Sequence, residues 1–223
     1  MDTSLWMSRD LLTAGPNTPV LEAARQMAQR RVRHLLIVEP AQSRHLVGIV
    51  SSHDLYLAAE SGVNPFSPRA VDRELRSVAT IMTPRPLAIA PTTSIAEAAS
   101  ILRDKKYGAL PVVDRGELVG ILTEHDILRA FLRLSGADQQ GYEVTATVAP
   151  GNLDVIGPMH ALAQKRGLHL VSAAMFEQDK VHYAVVHFTG GANDAFVDDL
   201  WQSGHRILRV RATTTGSPVP AHA

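Results

Sequence analysis

Apolar and polar positions follow one template twice along the first 135 residues. An apolar run, a polar turn and a second apolar strand end in Leu-Val-Gly-Ile, a hydroxyl residue and His-Asp. The copies read Leu46-Val47-Gly48-Ile49-Val50-Ser51-Ser52-His53-Asp54 and Leu118-Val119-Gly120-Ile121-Leu122-Thr123-Glu124-His125-Asp126. Upstream, short apolar strands at residues 11–14 and 87–90 lead through Pro/Thr/Ser turns into amphipathic helices. Thr18 before Pro19 reads as an N-cap with proline at the first helical position, and Ser94-Ile95-Ala96-Glu97 as a capping box. Val20, Ala24, Met27 and Ala28 in one copy, and Ile95, Ala98, Ala99 and Leu102 in the other, form apolar stripes. Arg30, Arg31, Lys105 and Lys106 close the last turns, where cations suit the helix dipole. The pattern predicts strands over 34–38, 45–51, 109–113 and 117–123, and second helices from near Ser52 and Glu124.

The copies align at an offset of 75, placing Met7 on Met82, Ser8 on Thr83, Pro16 on Pro91, Leu35 on Leu110 and Val38 on Val113. The offset falls to 72 where Pro40-Ala41-Gln42-Ser43-Arg44 faces Arg115-Gly116, a hairpin loop that can change length without disturbing its strands. A duplicated β-α-β-β-α unit of roughly sixty residues follows. Between the copies, Ser61-Gly62-Val63-Asn64-Pro65-Phe66-Ser67-Pro68 is rich in turn residues.

After the polar stretch 135–141 the pattern changes. Residues 142–147 alternate like a strand, and Ala149-Pro150-Gly151-Asn152 turns into a helix over 153–166 that stops at Gly167. Strands at 169–177 and 181–189, a helix opened by Gly190-Gly191-Ala192-Asn193 and a strand at 205–211 complete the order β-α-β-β-α-β, the ferredoxin-like split arrangement. The tail from Thr213 is small, polar and Pro-containing, which predicts disorder.

Composition narrows the function classes. Lys+Arg and Asp+Glu are equal at 22 each, so no global field favours nucleic acid or an anionic membrane. Without Cys there are neither disulfides nor thiolate sites. No apolar run approaches the roughly 18 residues of a membrane span, and the amino end lacks a signal-peptide pattern, so a cytoplasmic protein is expected. There is no phosphate-binding Gly-rich loop with Lys, no nucleophile elbow and no His-Glu-x-x-His pattern. Neither an enzyme nor a metal site is expected.

Each Ser/Thr-x-x-Asp places a hydroxyl and a carboxylate three residues apart where a strand meets a helix. Asp54 or Asp126 suits both hydroxyls of a ribose, while Ser51 or Thr123 and the adjacent N–H groups face a phosphate at the positive helix end. The same pattern is a capping box, in which these residues only satisfy backbone donors. Both readings stand on sequence alone. His53 and His125 flank the aspartates and read as solvent-facing helix-start residues.

The β-α-β-β-α order, the run Ala109-Leu110-Pro111-Val112-Val113-Asp114, the Leu-Val-Gly-Ile strand and the Ser/Thr-x-x-Asp ending together resemble a tandem pair of cystathionine-β-synthase-type (CBS) domains. That resemblance implies an α/β module in which two repeats pack through their sheets with up to two clefts for adenosine-type ligands. It makes Asp126 and Asp54 ribose ligands, and sets the base against Thr83, Pro84, Ala109, Leu110 and Pro111 in one copy, and Ser8, His34, Leu35 and Leu36 in the other. Arg33 precedes its strand and is a candidate for phosphate. Pro150-Gly151-Asn152-Leu153, with Ile156, Leu162-Ala163 and Gly167 behind it, is similar to the ACT family of regulatory domains, where Gly151 and Asn152 would sit at an amino-acid site or merely form a capped turn. The combination resembles the CBS/ACT proteins named for acetoin utilisation.

The expected organisation is CBS repeats at 1–61 and 78–135, a connector at 62–77, a linker at 136–141, an ACT-like domain at 142–212 and a disordered tail at 213–223. The expected function is non-catalytic regulation, in which AMP, ADP, ATP or S-adenosylmethionine binds the CBS pair and occupancy reaches the ACT-like domain or a regulated protein. No cofactor is required, and a homodimer is expected. The alternative is a homo-oligomeric scaffold with vestigial clefts.

Overall fold

The structure, a computed structural model, describes residues 1–39, 41–60, 77–148, 154–191 and 193–213. The Gly151-Asn152 turn and nearly all of the predicted connector and of the predicted tail lie outside these residues. The chain divides into two compact units, Met1–Leu128 and Arg129–Ala223.

In the first unit, β1 (Thr13–Ala14), α1 (Val20–Arg30), β2 (His34–Glu39), β3 (Gln42–Ser51) and α2 (Ser52–Glu60) form the first copy. β4 (Thr83–Pro84), α3 (Ile95–Lys105), β5 (Ala109–Asp114), β6 (Glu117–Thr123) and α4 (Glu124–Ser135) follow, α4 running past the unit's edge. The first sheet has the order β1-β2-β3-β4, with β1 parallel to β2 and the other pairs antiparallel. The second is the hairpin β5-β6, turned by Arg115 (φ 49°) and Gly116 (φ 86°). Ile89 bridges Val112 in parallel on one side, and Ser8 bridges Ile121 on the other. These bridges repeat Ala14 on Ile37 and Thr83 on Ile49, so the two sheets share one pseudo-symmetric plan.

The plan rests on an exchange of leading segments. Residues that open the first repeat dock on the second: the N–H of Thr3 donates to the carbonyl of Thr93 (2.9 Å), that of Ser4 to Pro91 (2.9 Å) and that of Ile95 to Met1 (2.9 Å). Residues that open the second repeat dock on the first, through Val78 to Thr18 (2.8 Å) and Ala79 to Pro16 (3.1 Å). Val78 accordingly lies in the first repeat's core with Ala23, Met27, Leu35, Ile37 and Val50. The Leu-Val-Gly-Ile glycines make room for the exchange: a Cβ on Gly48 would lie 2.4 Å from Sδ of Met82, and one on Gly120 2.4 Å from Sδ of Met7. Leu36, Val38 and Leu118 form a further cluster joining the repeats, with Ile49 and Ile121 against it.

Two helix readings change. Pro19, not Thr18, is the N-cap of α1, and its ring has no acceptor for a side-chain cap bond; the Thr18 carbonyl accepts the Val78 N–H and Pro19 bridges Ser77. The α1 stripe is Val20, Ala23 and Met27, with Ala24 at its margin and Ala28 exposed. In α3 the Ser94 hydroxyl accepts the Glu97 N–H at 3.1 Å, and Ile95, Ala98 and Leu102 are buried as the pattern predicts. Ser94→Ala is expected to cost about 1 kcal/mol in urea unfolding, and a loss below about 0.3 kcal/mol would count against the cap.

The second unit comprises β7 (Gly141–Val148), α5 (Ile156–Lys165), β8 (His169–Gln178), β9 (Val181–Thr189), α6 (Asp194–Gln202) and β10 (Arg206–Thr213). Its sheet is antiparallel throughout, in the order β10-β7-β9-β8, and both helices pack on one face over Val144, Ala146, Met159, Val186, Phe188, Phe196 and Leu200. This is the ferredoxin-like arrangement the alternation predicts. The β8-β9 hairpin turns at Asp179 (φ 51°) and Lys180 (φ 64°), whose twist matches the flanking strands. Asn193 caps α6 by accepting the Phe196 N–H at 3.0 Å. α5 starts three residues later than the pattern suggests and ends before Gly167, whose φ of 73° suits a helix terminus.

Candidate functional site

The two Ser/Thr-x-x-Asp endings adopt the same geometry. Ser51 N–H and Oγ–H both donate to Oδ2 of Asp54 at 2.7 Å, and the Asp54 N–H donates back to the Ser51 hydroxyl at 3.2 Å. In the second copy Thr123 N–H (2.9 Å) and Oγ1–H (2.7 Å) donate to Oδ2 of Asp126, with the return bond at 3.3 Å. Both are complete capping boxes for α2 and α4. At Asp54 the cap does not exclude binding, because it uses one carboxylate oxygen, and a carboxylate offers about four acceptor directions. What separates the copies is exposure: Asp126 is buried at 6 % exposure, whereas Asp54 is half-buried and opens on a cleft.

That cleft encloses about 390 Å³, within the range of about 300–1,000 Å³ usual for small-molecule sites. Arg33, His34, Ser51 and Asp54 line it from the first repeat, Gly108 and Ala109 from the second, and Thr83 from the exchanged segment. Its floor follows from the pseudo-symmetry. His34 pairs with Ser51 across β2-β3 as Ala109 pairs with Thr123 across β5-β6, and both strand starts face one space. The His34 ring fills the room beside Gly108, where an added Cβ would lie 3.1 Å from its Nε2.

Six of the residues singled out by sequence therefore meet: Arg33, His34, Ser51, Asp54, Thr83 and Ala109. Leu35, Leu36, Leu110 and Pro111 do not line this cleft, because β2 and β5 are covered on both faces and these side chains are buried. Pro84 is exposed outside it. Ser8 and Thr123 belong to the second sheet, and Asp126 to the helix α4 that follows it. The grouping of the residues expected against the base changes accordingly: Thr83 joins Asp54 and His34, and Ser8 joins the sheet that leads into Asp126, because each leading segment adds to the other repeat's edge strand. Gly151 and Asn152 lie outside the described residues.

Lys106, Tyr107, Pro86, Leu87 and Ile49 also line the cleft and were not singled out as site residues by sequence. Lys106 and Arg31 occupy equivalent left-handed C-cap positions, φ 56° and 52°, so the helix-end reading of Lys106 hid a residue that also faces a ligand space.

Burial lowers the pKa of His34, and Arg33 lowers it further against the opposing influence of Asp54 and Glu124. Burial likewise lowers that of His187 in β9, whose Nε2 is buried without a hydrogen-bond partner. The unfolded chain then binds more protons at acid pH, so this stability is present above an imidazole value of about 6.5 and is lost as pH falls through the lowered folded values. The urea midpoint is expected to be lower at about pH 5.5 than at about pH 7.5, and His34→Gln with His187→Gln should flatten the difference. An unchanged slope in the double variant would assign the acid sensitivity elsewhere.

The sequence pattern of the CBS domain matches residues 3–61 and 78–133, more than half of the chain. The chain belongs to the CBS-domain family. The CBS pair is 34 % identical over 145 residues to CBSX1, a chloroplastic CBS domain-containing protein of Arabidopsis thaliana, covering 56 % of this chain and 61 % of that one, so the chain spans less than two thirds of that relative's length. Among solved structures it is similar to CBSX2 in complex with AMP, at 30 % identity and a TM-score of 0.50 over 59 % of this chain and 96 % of the other. It is also similar to the CBS pair of MJ0100 in complex with 5′-methylthioadenosine and S-adenosyl-L-methionine, at 26 % identity and a TM-score of 0.51 over 59 % and 95 %. A third is a putative acetoin utilization protein (AcuB) of Vibrio cholerae, at 28 % identity and a TM-score of 0.52 over 60 % and 93 %. These likenesses support a regulatory, non-enzymatic role for the CBS pair. Among the described residues no helix is long and apolar enough to cross a membrane, and no group of metal-ligating side chains occurs.

Proposed function

We propose that this chain is a regulatory protein whose CBS pair binds an adenosyl ligand in the Asp54 cleft. The observation that carries the reading is a cap-fixed carboxylate opening on a cleft built from both repeats, in a fold whose relatives are described with AMP or S-adenosyl-L-methionine. Asp54 receives the ribose hydroxyls, Thr83 and the apolar walls at Ile49, Ala109 and Pro86 receive the base, and Arg33 faces phosphate. Because both repeats line the cleft, a ligand that prefers one arrangement of them biases that arrangement; a hundredfold preference corresponds to about 2.7 kcal/mol. The second unit acts as an ACT-like receiver of that bias or passes it to a regulated protein. The ferredoxin-like order supports this assignment, with the domain limits and linkers given by the sequence. Homodimerisation fits the exposed apolar side chains of α4, among them Leu128 and Phe131. The balanced charge fits a cytoplasmic protein acting on neither nucleic acid nor membrane.

The equal capping boxes in both repeats favour one rival, a scaffold in which the aspartates only cap helices. Isothermal titration with AMP, ATP and S-adenosylmethionine separates the two. Saturable binding is expected, weakened at least tenfold in Asp54→Ala and little changed in Asp126→Ala, with both variants checked for folding by circular dichroism. No heat from ligand-free protein with any of the three would favour the scaffold.

A further inference from the structure

We infer that residues 135–140, the strap by which the chain leaves α4 and enters the second sheet, are a proton-sensitive clasp, closed over a neutral His187 and released when that ring is protonated. Val186 and Phe188, on either side of His187 along β9, are buried in the core beneath α5 and α6, so alternation turns the His187 side chain to the opposite face of the sheet. Both helices of the unit lie on the other side, yet His187 is only 2 % exposed. The strap supplies the cover. Gly136 is buried with φ 73°, and a Cβ there would lie 2.9 Å from Cδ2 of His187 and 2.8 Å from Cγ1 of Val171, so the backbone rests directly against the ring. Two hydroxyls pin the strap at its ends: Ser172 on β8 donates to the carbonyl of Ser135 at 2.7 Å, and Thr213 on β10 to that of Gln139 at 3.1 Å.

The surroundings of the ring make the clasp sensitive to charge. Nε2 of His187 is buried without a hydrogen-bond partner, while the ring is hydrogen-bonded to the backbone of Gln139. A neutral imidazole leaves one lone pair unused there; an imidazolium places a donor and a net charge in the same dry space, which costs far more. The neighbouring charges have partners of their own. Glu143 stands across from His187 on β7 but also directly opposite Arg211 on β10, and Asp138 of the strap pairs with Arg133 of α4 at 3.3 Å. From β8 the opposite residue is the neutral Ser172, already bonded to Ser135. Burial accordingly holds the ring below its ordinary pKa, against the pull of Glu143, the Gln139 backbone and Asp138. Lifting the strap hydrates the ring and restores the ordinary value, so acid favours the lifted form and neutral pH the closed one. With an open-state value of about 6.5, the lifted population rises up to about tenfold between about pH 7.5 and about pH 5.5. The chain passes from the CBS pair into the second unit through this strap, so its release unties the last turn of α4 from β8. This holds whatever the cleft binds.

The test is hydrogen exchange of the full chain, read by mass spectrometry and corrected for the intrinsic effect of pH. The strap amides of Ala137 and Gln139 donate to Leu132 and Gly136 at 3.1 and 3.0 Å and report its closure. Their protection is expected to lie below that of the β7 and β9 amides at both pH values, because the strap opens locally, and to fall about tenfold from about pH 7.5 to about pH 5.5. In His187→Leu, which keeps an apolar side chain under the strap and removes the titrating group, the fall should shrink below about twofold. Gly136→Ala gives a second reading should that variant not fold: its Cβ would meet the ring and lift the strap at every pH, so protection should be low throughout and again change by less than about twofold. A tenfold fall that persists in either variant would overturn the assignment to His187. No fall in the unaltered chain, or strap protection equal to that of the β7 and β9 core at both pH values, would overturn the clasp itself.

Discussion

Phe188→Ala is expected to destabilise the second unit by about 3–5 kcal/mol without altering ligand binding in the first. Phe188 is fully buried on β9, its ring edge-on to Phe196 at 5.4 Å, and Phe196 in turn meets Tyr142 at 5.7 Å. The three rings tie β7, β9 and α6 together in the core that also holds Met159 and Leu200. Truncation removes both the transfer energy of the ring and its contacts, and the strands around it are hydrogen-bonded on both sides, so they cannot collapse into the space. A loss of that size is a large part of the about 5–15 kcal/mol that holds a domain folded. Every residue lining the Asp54 cleft lies between positions 33 and 109, within the first unit. The variant therefore separates sensing from transmission. Urea unfolding followed by circular dichroism gives the stability change, and titration of the same protein with AMP gives the affinity. A loss below about 1 kcal/mol would contradict the core assignment, and a large loss of AMP affinity would show that the cleft depends on the second unit.

The element order, the duplication and the two capping boxes were legible because each is a local pattern. Ser94 and Glu97, or Thr123 and Asp126, meet within one helical turn whatever else the chain does. The exchange of leading segments was not legible, for a physical reason. Aligning Met7 with Met82 shows that each repeat has such a segment, but the alignment is the same whether a segment packs on its own repeat or on the other. Only the contacts of Met82 with Gly48 and of Met7 with Gly120 decide it. The misplaced N-cap of α1 and the regrouping of Thr83 and Ser8 both follow from that one fact. That Leu35, Leu36, Leu110 and Pro111 lie away from the Asp54 cleft was not legible for a different reason: a continuous apolar run carries no period to say which face is buried, and here both are.

Gly48→Val and Gly120→Val are expected to cost similar stability, about 3 kcal/mol each, but to differ in their effect on the cleft. At either site the new Cβ would start 2.4 Å from a methionine sulfur, and the rest of the valine has nowhere to go while the methionine stays. The methionine must swing out, and the segment carrying it loses its place on the sheet edge. At Gly120 that segment holds Met7 and Ser8, bridged to Ile121, and neither lines the Asp54 cleft. At Gly48 it holds Met82 and Thr83, and a Cβ would also lie 3.3 Å from the Thr83 carbonyl oxygen. Thr83 lines the cleft, with Pro86 and Leu87 close behind it on the same segment. Displacing β4 should therefore weaken nucleotide binding at least tenfold, whereas Gly120→Val should leave affinity nearly unchanged at temperatures where the protein remains folded. Thermal melts and AMP titrations on the two variants make the comparison. Equal losses of affinity would mean that the wall carrying Thr83 contributes nothing particular to binding. Preserved stability in both would mean that the methionines are accommodated elsewhere, and that the exchange of segments does not hold the two repeats together.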